Sequence, residues 1–345
     1  MRELLTEYDR LLARGVPVGR AVVTSVWGSA PRGPGACLLA TADGEMAGSV
    51  SGGCVESATV AEIVEAIRRG TSKLVSYGVS DETAWQVGLA CGGTIEVFVE
   101  PSVPPAVSTA ARGEGGQVVA TVIAGDARST ATGQSVVIRE DGTILGDASN
   151  RWIGEAVRAA ALDALASETA ATVDAPTPGG DAALVFLEVF PRPPKLVIFG
   201  GVHIAMALVP LAKSLGFHTC VADGRQAFVT RDRFPDADEL LVAWPAEAFE
   251  RIGLDRATYV CVLSHDPKFD EPALELSLRS PARYIGAIGS RKTQASRRQR
   301  LQARGFTEAQ LNRLHGPIGL DLGGRSPAEI ALGIMAEITM ARRRR

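Results

Sequence analysis

What most limits the fold of this chain is a repeat inside its first half. Residues 28–51 align without a gap on residues 126–149. Gly35 meets Gly133, Asp43 meets Asp141, Gly44 meets Gly142, Gly48 meets Gly146 and Ser51 meets Ser149. Cys37-Leu38-Leu39 falls on Ser135-Val136-Val137. Each copy reads as a strand, an Asp-Gly hairpin turn and a second strand. Upstream, AVVTSV resembles VVATVI. Downstream, each copy enters a helix, over 54–69 and 150–168, and ends on a strand, with 96–100 resembling 184–188. Only five of 24 positions are identical, so the duplication rests on the shared order of turns and apolar runs.

The copies differ where chemistry is possible. Pro31-Arg32 in the first stands against Ser129-Thr130, and Ser51-Gly52-Gly53-Cys54-Val55-Glu56 against Ser149-Asn150-Arg151-Trp152-Ile153-Gly154. The loop Cys91-Gly92-Gly93 has no counterpart before the second copy's last strand. Features that only one copy keeps are unnecessary for the shared fold, and so are functional candidates. Gly52 and Gly53 permit close backbone approach. A helix starting near Cys54 would favour an anion and a thiolate there, and a thiolate can bind a soft metal or carry sulfur. A packed cysteine is the plain alternative. Arg32, framed by proline and glycine, can clamp a phosphate or carboxylate. Glu56 is either an acid–base group or a partner of the helix dipole.

After the PRPP stretch at 191–194, strands alternate with helices. Apolar runs at 196–201, 218–223, 238–244, 258–265 and 282–290, with a helix over 203–215, predict a doubly wound parallel sheet. Gly200-Gly201-Val202-His203 holds the phosphate-turn position, but Val202 replaces the glycine that lets a pyrophosphate approach. Asp223 stands where a ribose-binding acid belongs. His265-Asp266 follow the fourth strand, where such sheets bind ligands. Gly289-Ser290-Arg291-Lys292 open a helix as a phosphate cradle would. Arg297 to Arg300 read as a solvated basic face. His315 to Asp321 read as a rigid loop leading to the capping box Ser326-Pro327-Ala328-Glu329.

The predicted fold class is therefore α/β: a duplicated α+β N-terminal lobe, with a first repeat over 1–105 and a degenerate one over 106–192, plus a Rossmann-like domain over 193–345. At 345 residues with a net charge of −3, several domains are expected and nothing overall favours nucleic acid. The arginines at 342–345 read as a solvated helix end. No apolar run approaches the ~18 residues of a membrane span. The charged start MRELLTEYDR is no signal peptide but an amphipathic helix closed by Gly15, so a cytoplasmic protein is expected. The cysteines at 37, 54, 91, 220 and 261 are odd in number and far apart, which argues against a disulfide framework; Cys37, Cys220 and Cys261 read as buried strand residues. The histidines at 203, 218, 265 and 315 show no zinc spacing.

GSAPRGPGA with SGGCVE and CGG, followed by LVIFGGVH, LSHDPKFDEPAL, YIGAIGSRK and HGPIGLDLGGRSPAEIA, resembles the XdhC/CoxI family of xanthine dehydrogenase accessory proteins, over nearly the whole chain and in the same order. Relatives commonly carry G-A-G-H where this chain has Gly200-Gly201-Val202-His203. The resemblance implies a chaperone for molybdenum cofactor, an anionic pterin phosphate with a dithiolene-bound metal, in its molybdopterin or dinucleotide form. Such a chaperone protects the cofactor, supports its sulfuration by a cysteine desulfurase and delivers it to the apoenzyme of a molybdenum hydroxylase. Cofactor binding is then expected at Pro31, Arg32, Ser51, Gly52, Gly53, Cys54, Cys91, Gly92, Gly93, Gly200, Gly201, His203, Asp223, His265, Asp266, Gly289, Ser290, Arg291 and Lys292. Cys54 and Cys91 are the expected molybdenum contacts, Cys54 and Glu56 the expected reactive pair, and the domain interface the expected place. A homodimer would suit such a role. The alternative is an NAD(P)-dependent oxidoreductase, against which Val202 argues. A purely structural assembly partner is a further rival.

Overall fold

The computed structural model describes residues 1–78, 93–125, 132–146, 153–176, 182–264 and 266–343. They form two compact units, Met1–Arg192 and Pro193–Arg345.

The first unit holds two antiparallel sheets with one plan. Sheet one takes β1 (Val18–Trp27), β2 (Cys37–Thr41), β3 (Met46–Gly48), β4 (Lys73–Tyr77) and β5 (Thr94–Glu100) in the order β3-β2-β1-β5-β4. Sheet two takes β6 (Gln117–Ala124), β7 (Ser135–Arg139), β8 (Ile144–Leu145), β9 (Ala171–Pro176) and β10 (Ala182–Phe190) in the order β8-β7-β6-β10-β9. The hairpin turns match bond for bond: Gly44 N–H donates to Thr41 O, and Gly142 N–H to Arg139 O. Register also corrects the alignment of the first strands. Ala21 pairs with Leu38, and Ala120 with Val136, so Ala21 corresponds to Ala120. The look-alike stretches AVVTSV and VVATVI are displaced by two residues, a shift that keeps every side chain on its face and so leaves the sequence pattern unchanged.

Helix α2 (Glu56–Arg69) covers sheet one through Ile63 and Ala66, and α4 (Glu155–Ser167) covers sheet two through Val157, Ala161 and Ala164. The other sheet faces meet each other, Val22 and Phe98 against Ile123 and Phe186. With both faces covered, β1 is buried from Val18 to Thr24. Each phenylalanine sealed there contributes about 2 kcal/mol by area. Helices α1 (Leu5–Leu12) and α3 (Pro105–Arg112) close one end over Cys37, Leu39, Val119 and Val137.

The second unit is a six-stranded parallel sheet. Its strands are β11 (Lys195–Phe199), β12 (His218–Asp223), β13 (Glu239–Val242), β14 (Thr258–Val262), β15 (Tyr284–Ala287) and β16 (Leu314–His315), in the order β13-β12-β11-β14-β15-β16. Helices α5 (His203–Ser214) and α10 (Pro327–Arg343) pack on one face. Helices α6 (Pro245–Ile252), α7 (Pro267–Arg279), α8 (Arg291–Ala303) and α9 (Glu308–Leu311) pack on the other. The sheet is thus doubly wound, with its order reversing between β11 and β14. Two-residue β16 lies in the stretch read as a loop; it is too short for any periodicity to reveal. Arg297 is likewise no solvated residue. It is buried, donating to Asp270, Gln294 and Ile288 O.

Candidate functional site

The loop between β3 and α2 is built around one carboxylate. Glu56, the first residue of α2, is 6% exposed. Its Oε1 accepts from Ser49 Oγ at 2.6 Å and from the backbone N–H groups of Val50 (3.2 Å), Ser51 (2.9 Å) and Gly52 (3.1 Å). Its Oε2 accepts from Ser51 Oγ at 2.6 Å and Gly53 N–H at 2.8 Å. Burial opposes its ionisation, but the Ser49 and Ser51 hydroxyls and the loop amides outweigh it and hold the carboxyl at about 2. Ser51 Oγ in turn accepts from the N–H groups of Cys54 and Val55. Gly52 and Gly53, at φ 82° and 122°, give the loop its curl.

This arrangement revises two expectations. Of the amides expected to face an incoming anion, those of Cys54 and Val55 go to Ser51 Oγ, and the loop amides from Val50 to Gly53 are taken by the chain's own carboxylate, Glu56. The same saturation makes Glu56 a poor proton carrier at neutral pH, so its place is that of a clasp for the loop. The helix begins at Glu56 and leaves Cys54 outside it, exposed, on a backbone fixed from below.

Other candidates gather on this rim of sheet one. A Cβ on Gly52 would lie 3.4 Å from the Pro31 ring, and one on Gly93 would lie 2.2 Å from Ser29 O. The PRGPG loop and the described end of the CGG loop therefore both reach the end of β1, beside the cysteine loop or its neighbour. Cys91 and Gly92 lie outside the described residues. Arg32 turns to Glu3, at 2.8 Å, with both side chains well exposed. Cys37, Cys220 and Cys261 are buried; burial pushes the Cys220 thiol up to about 12.

The candidates of the parallel-sheet unit also find partners within the chain. Asp223, 2% exposed, accepts from Gly201 N–H at 3.0 Å and from Arg225 through N–H, Nε and Nη2. Burial works against its charge, but Arg225 and the amides win and lower its pKa. The acid expected to meet a ribose thus fills the glycine turn itself, and a Cβ on Gly201 would lie 2.2 Å from Phe228 O. His203 opens α5 and is exposed. Asp266 caps α7 by accepting from Lys268 N–H; His265 lies outside the described residues. After Gly289, Ser290 caps α8, and Arg291 and Lys292 are exposed. Gly289 and Ser290, but neither Arg291 nor Lys292, line a cavity of about 210 Å³ that also has Asp270, Glu271 and Arg297 in its wall. The sequence reading missed that buried pair.

Comparison with known proteins follows the same division. The XdhC and CoxI family model matches residues 11–78, and the XdhC Rossmann domain model matches residues 196–338. Together they match well over half of the chain, with the cysteine loop inside the first and the Gly200 turn inside the second.

The chain belongs to the XdhC and CoxI family. A Bacillus subtilis (strain 168) relative, named as a probable xanthine dehydrogenase component, is 28% identical over 341 residues, 98% of this chain and 97% of the relative. The Escherichia coli (strain K12) molybdenum cofactor insertion chaperone PaoD is 26% identical over 330 residues, 94% of this chain and 84% of PaoD. A crystal structure described as a xanthine dehydrogenase from Bacillus halodurans superposes with a TM-score of 0.73 at 25% identity, covering 99% of this chain and 95% of that one.

In this XdhC/CoxI chain, sequence reading missed two more features besides the clasp and the buried Asp270–Arg297 pair. Arg20 of β1, 1% exposed, binds Glu100 of β5 and Glu188 of β10, both buried, and so ties sheet one to sheet two. Glu337 of α10 accepts from Tyr284 Oη, Gly319 N–H at 2.8 Å and the His315 ring at 3.1 Å. A serine at two places before an acid at a helix start signals the Glu56 clasp. Arg20 gave no signal, because its partners lie 80 and 168 residues away. Among the described residues no cluster of histidine, cysteine and carboxylate suits a metal ion, and no helix is long and apolar enough to cross a membrane.

Proposed function

We propose that this protein carries molybdenum cofactor in the maturation of a molybdenum hydroxylase of the xanthine dehydrogenase or carbon monoxide dehydrogenase type. The observation that carries the reading is Cys54: an exposed thiol on a loop clasped from inside, in the one lobe that has a cysteine there. Thiolates are soft ligands, suited to molybdenum or to transferred sulfur. The similarity to PaoD, named an insertion chaperone and matched over 94% of this chain, points the same way. In this reading the cofactor is cargo. The protein shields it, supports its sulfuration by a cysteine desulfurase and releases it to the apoenzyme in the cytoplasm. Cys54 touches the metal or the sulfur, with Cys91 as its partner. Since the loop amides are occupied, the cargo's phosphate falls to side-chain cations such as Arg32, whose exposed pair with Glu3 is cheap to break.

The test mixes the protein with cofactor released from a molybdenum enzyme and measures the molybdenum and pterin that stay with it after desalting. Wild type should retain both, and Cys54→Ser should lose most of the metal while melting at the same temperature. Equal retention by the serine variant would remove Cys54 from the site, and no retention by wild type would remove the carriage reading.

A further inference from the structure

The carboxyl edge of the parallel sheet presents a second, aromatic surface. Trp244 follows β13 and is 52% exposed. Its ring lies flat on Phe269 of α7, with centroids 4.2 Å apart and planes 5° from parallel. Phe269 is buried and packs in turn on Phe199 of β11, with centroids 6.2 Å apart. The indole therefore rests on a fixed base. Room for the stack comes from Gly224 after β12, where a Cβ would lie 2.6 Å from Phe269 and 3.6 Å from Trp244. Elements following β12, β13 and β14 thus build one feature at the edge where open parallel sheets bind ligands.

A single exposed apolar side chain needs no explanation. This one differs in being stacked face to face on a buried ring, so that its outer face would add a third ring to a parallel pair. Polar groups stand at the same edge. Arg225, Asp266 and Lys268 are exposed, Lys268 is next to Phe269 in the chain, and Arg225 lies within electrostatic reach of Asp266. Flat aromatic faces bind nucleobase-like rings with little regard to their edges, and neighbouring cations add to the stack.

We propose that Trp244 is a stacking platform for a planar nitrogen heterocycle, a pterin or purine ring, whose attached anionic group meets Lys268. The ring is held without a pyrophosphate turn, because Asp223 already fills the Gly201 amide. The proposal rests on the cargo reading for its biological ligand, since molybdenum cofactor supplies a pterin and, in dinucleotide form, a base as well.

The experiment titrates the full chain with pterin-6-carboxylate, with guanosine monophosphate and with ribose 5-phosphate, which has no ring. Wild type is compared with Trp244→Phe and with Trp244→Leu, which keeps apolar cover over Phe269. The leucine variant should bind the preferred ring compound about tenfold more weakly, as loss of one stack predicts. Phenylalanine should recover most of the affinity, and ribose 5-phosphate should bind none of the three proteins. Which ring compound binds distinguishes pterin from base. Failure of wild type to bind either ring, or equal binding by the leucine variant, overturns the platform. Cofactor retention by the same proteins separates the two readings. Retention that Trp244→Leu leaves intact sinks the platform and spares carriage. Absence of retention in wild type sinks carriage, and the ring titrations then decide the platform alone.

Discussion

The two lobes of the first unit begin their covering helices with an acid, and the two acids live differently. Glu56 is buried under two serine hydroxyls and four backbone amides. Glu155 stands in solvent, its side chain 75% exposed, paired with Arg158 one turn on. A second contrast lies between the sheets. Arg20 pairs across β1 and β5 with Glu100, and its register counterpart opposite Glu188 is Val119. Glu100 and Glu188 occupy equivalent places, so two like carboxylates face a single arginine. The scaffold was kept in both lobes, and each holds a buried glutamate, while the buried arginine between them belongs to the first. A duplicated fold lets one copy hold position while the other carries strained or polar features that cost stability.

The sharpest way to break this comparison is to make the lobes alike. Arg20→Val copies Val119 into sheet one and leaves two buried carboxylates without their cation. Removing one side of a buried ion pair costs about 3–5 kcal/mol, and denaturant unfolding should show a loss of that order. A loss below about 1 kcal/mol would mean that the trio contributes no more than a surface pair. The same trio sets a pH dependence. Burial raises the Glu100 carboxyl to about 7, with Glu188 adding to the rise and Arg20 opposing it. The folded protein therefore binds a proton there that the unfolded chain, with an ordinary carboxyl near ~4.3, has released. Stability should be fullest below that ordinary value and fall as pH rises toward 7. Glu100→Gln should flatten this limb.

Glu56 tests the other contrast with the opposite sign. Its carboxyl is lowered to about 2, so its contribution is present above the ordinary carboxyl value and is lost as pH falls toward 2. Glu56→Gln should cost about 2 kcal/mol, since a charged acceptor is replaced by a neutral one that cannot satisfy every donor. It should also loosen the cysteine loop and reduce cofactor retention. Glu155→Gln, its counterpart in the second lobe, should leave thermal unfolding unchanged. Equal effects from both would erase the distinction between clasp and surface acid.

Cys54→Ser comes next, with no measurable change in stability because the side chain is exposed. Reaction with a thiol reagent on the folded protein gives the cleaner reading. Cys54 should react at once, while Cys37, Cys220 and Cys261 wait for unfolding. Fast labelling of Cys37 would show that the first lobe opens far more readily than its packing allows.

The sequence made the scaffold legible because the scaffold repeats. Asp43-Gly44 and Asp141-Gly142 mark the same hairpin, and apolar runs mark the parallel strands. The capping box at Ser326 and Glu329 forms as read, with Glu329 accepting from Ser326 N–H at 2.9 Å. Glycine-rich turns were legible as places where amides converge, but not as to what fills them. At both the cysteine loop and the Gly201 turn the occupant is a carboxylate of the chain, Glu56 or Asp223. Local pattern shows that donors will converge, and only the folded path shows that an acceptor already stands there. Arg20 was hidden for a related reason: a buried charge in a strand reads as a break in the apolar run until partners distant in sequence are brought beside it.

Arg32 gives the smallest and most selective effect. Its pair with Glu3 is exposed on both sides, and such pairs contribute about 0–1 kcal/mol. Arg32→Ala should therefore melt with wild type. Serving the cargo's phosphate would instead make the arginine matter only when cargo is present, because a planar guanidinium makes two parallel bonds to a phosphate. Retention of cofactor by the alanine variant should fall several-fold and become less sensitive to salt, while Arg32→Lys should recover charge without the paired geometry and land between the two. Thr130, which stands in the second lobe where the alignment puts Arg32 in the first, supplies the control: Thr130→Ala should change neither stability nor retention. If Arg32→Ala retains cofactor as wild type does at every salt concentration, the arginine is only a surface tie to Glu3, and the asymmetry of the lobes narrows to the cysteine loop and the buried arginine.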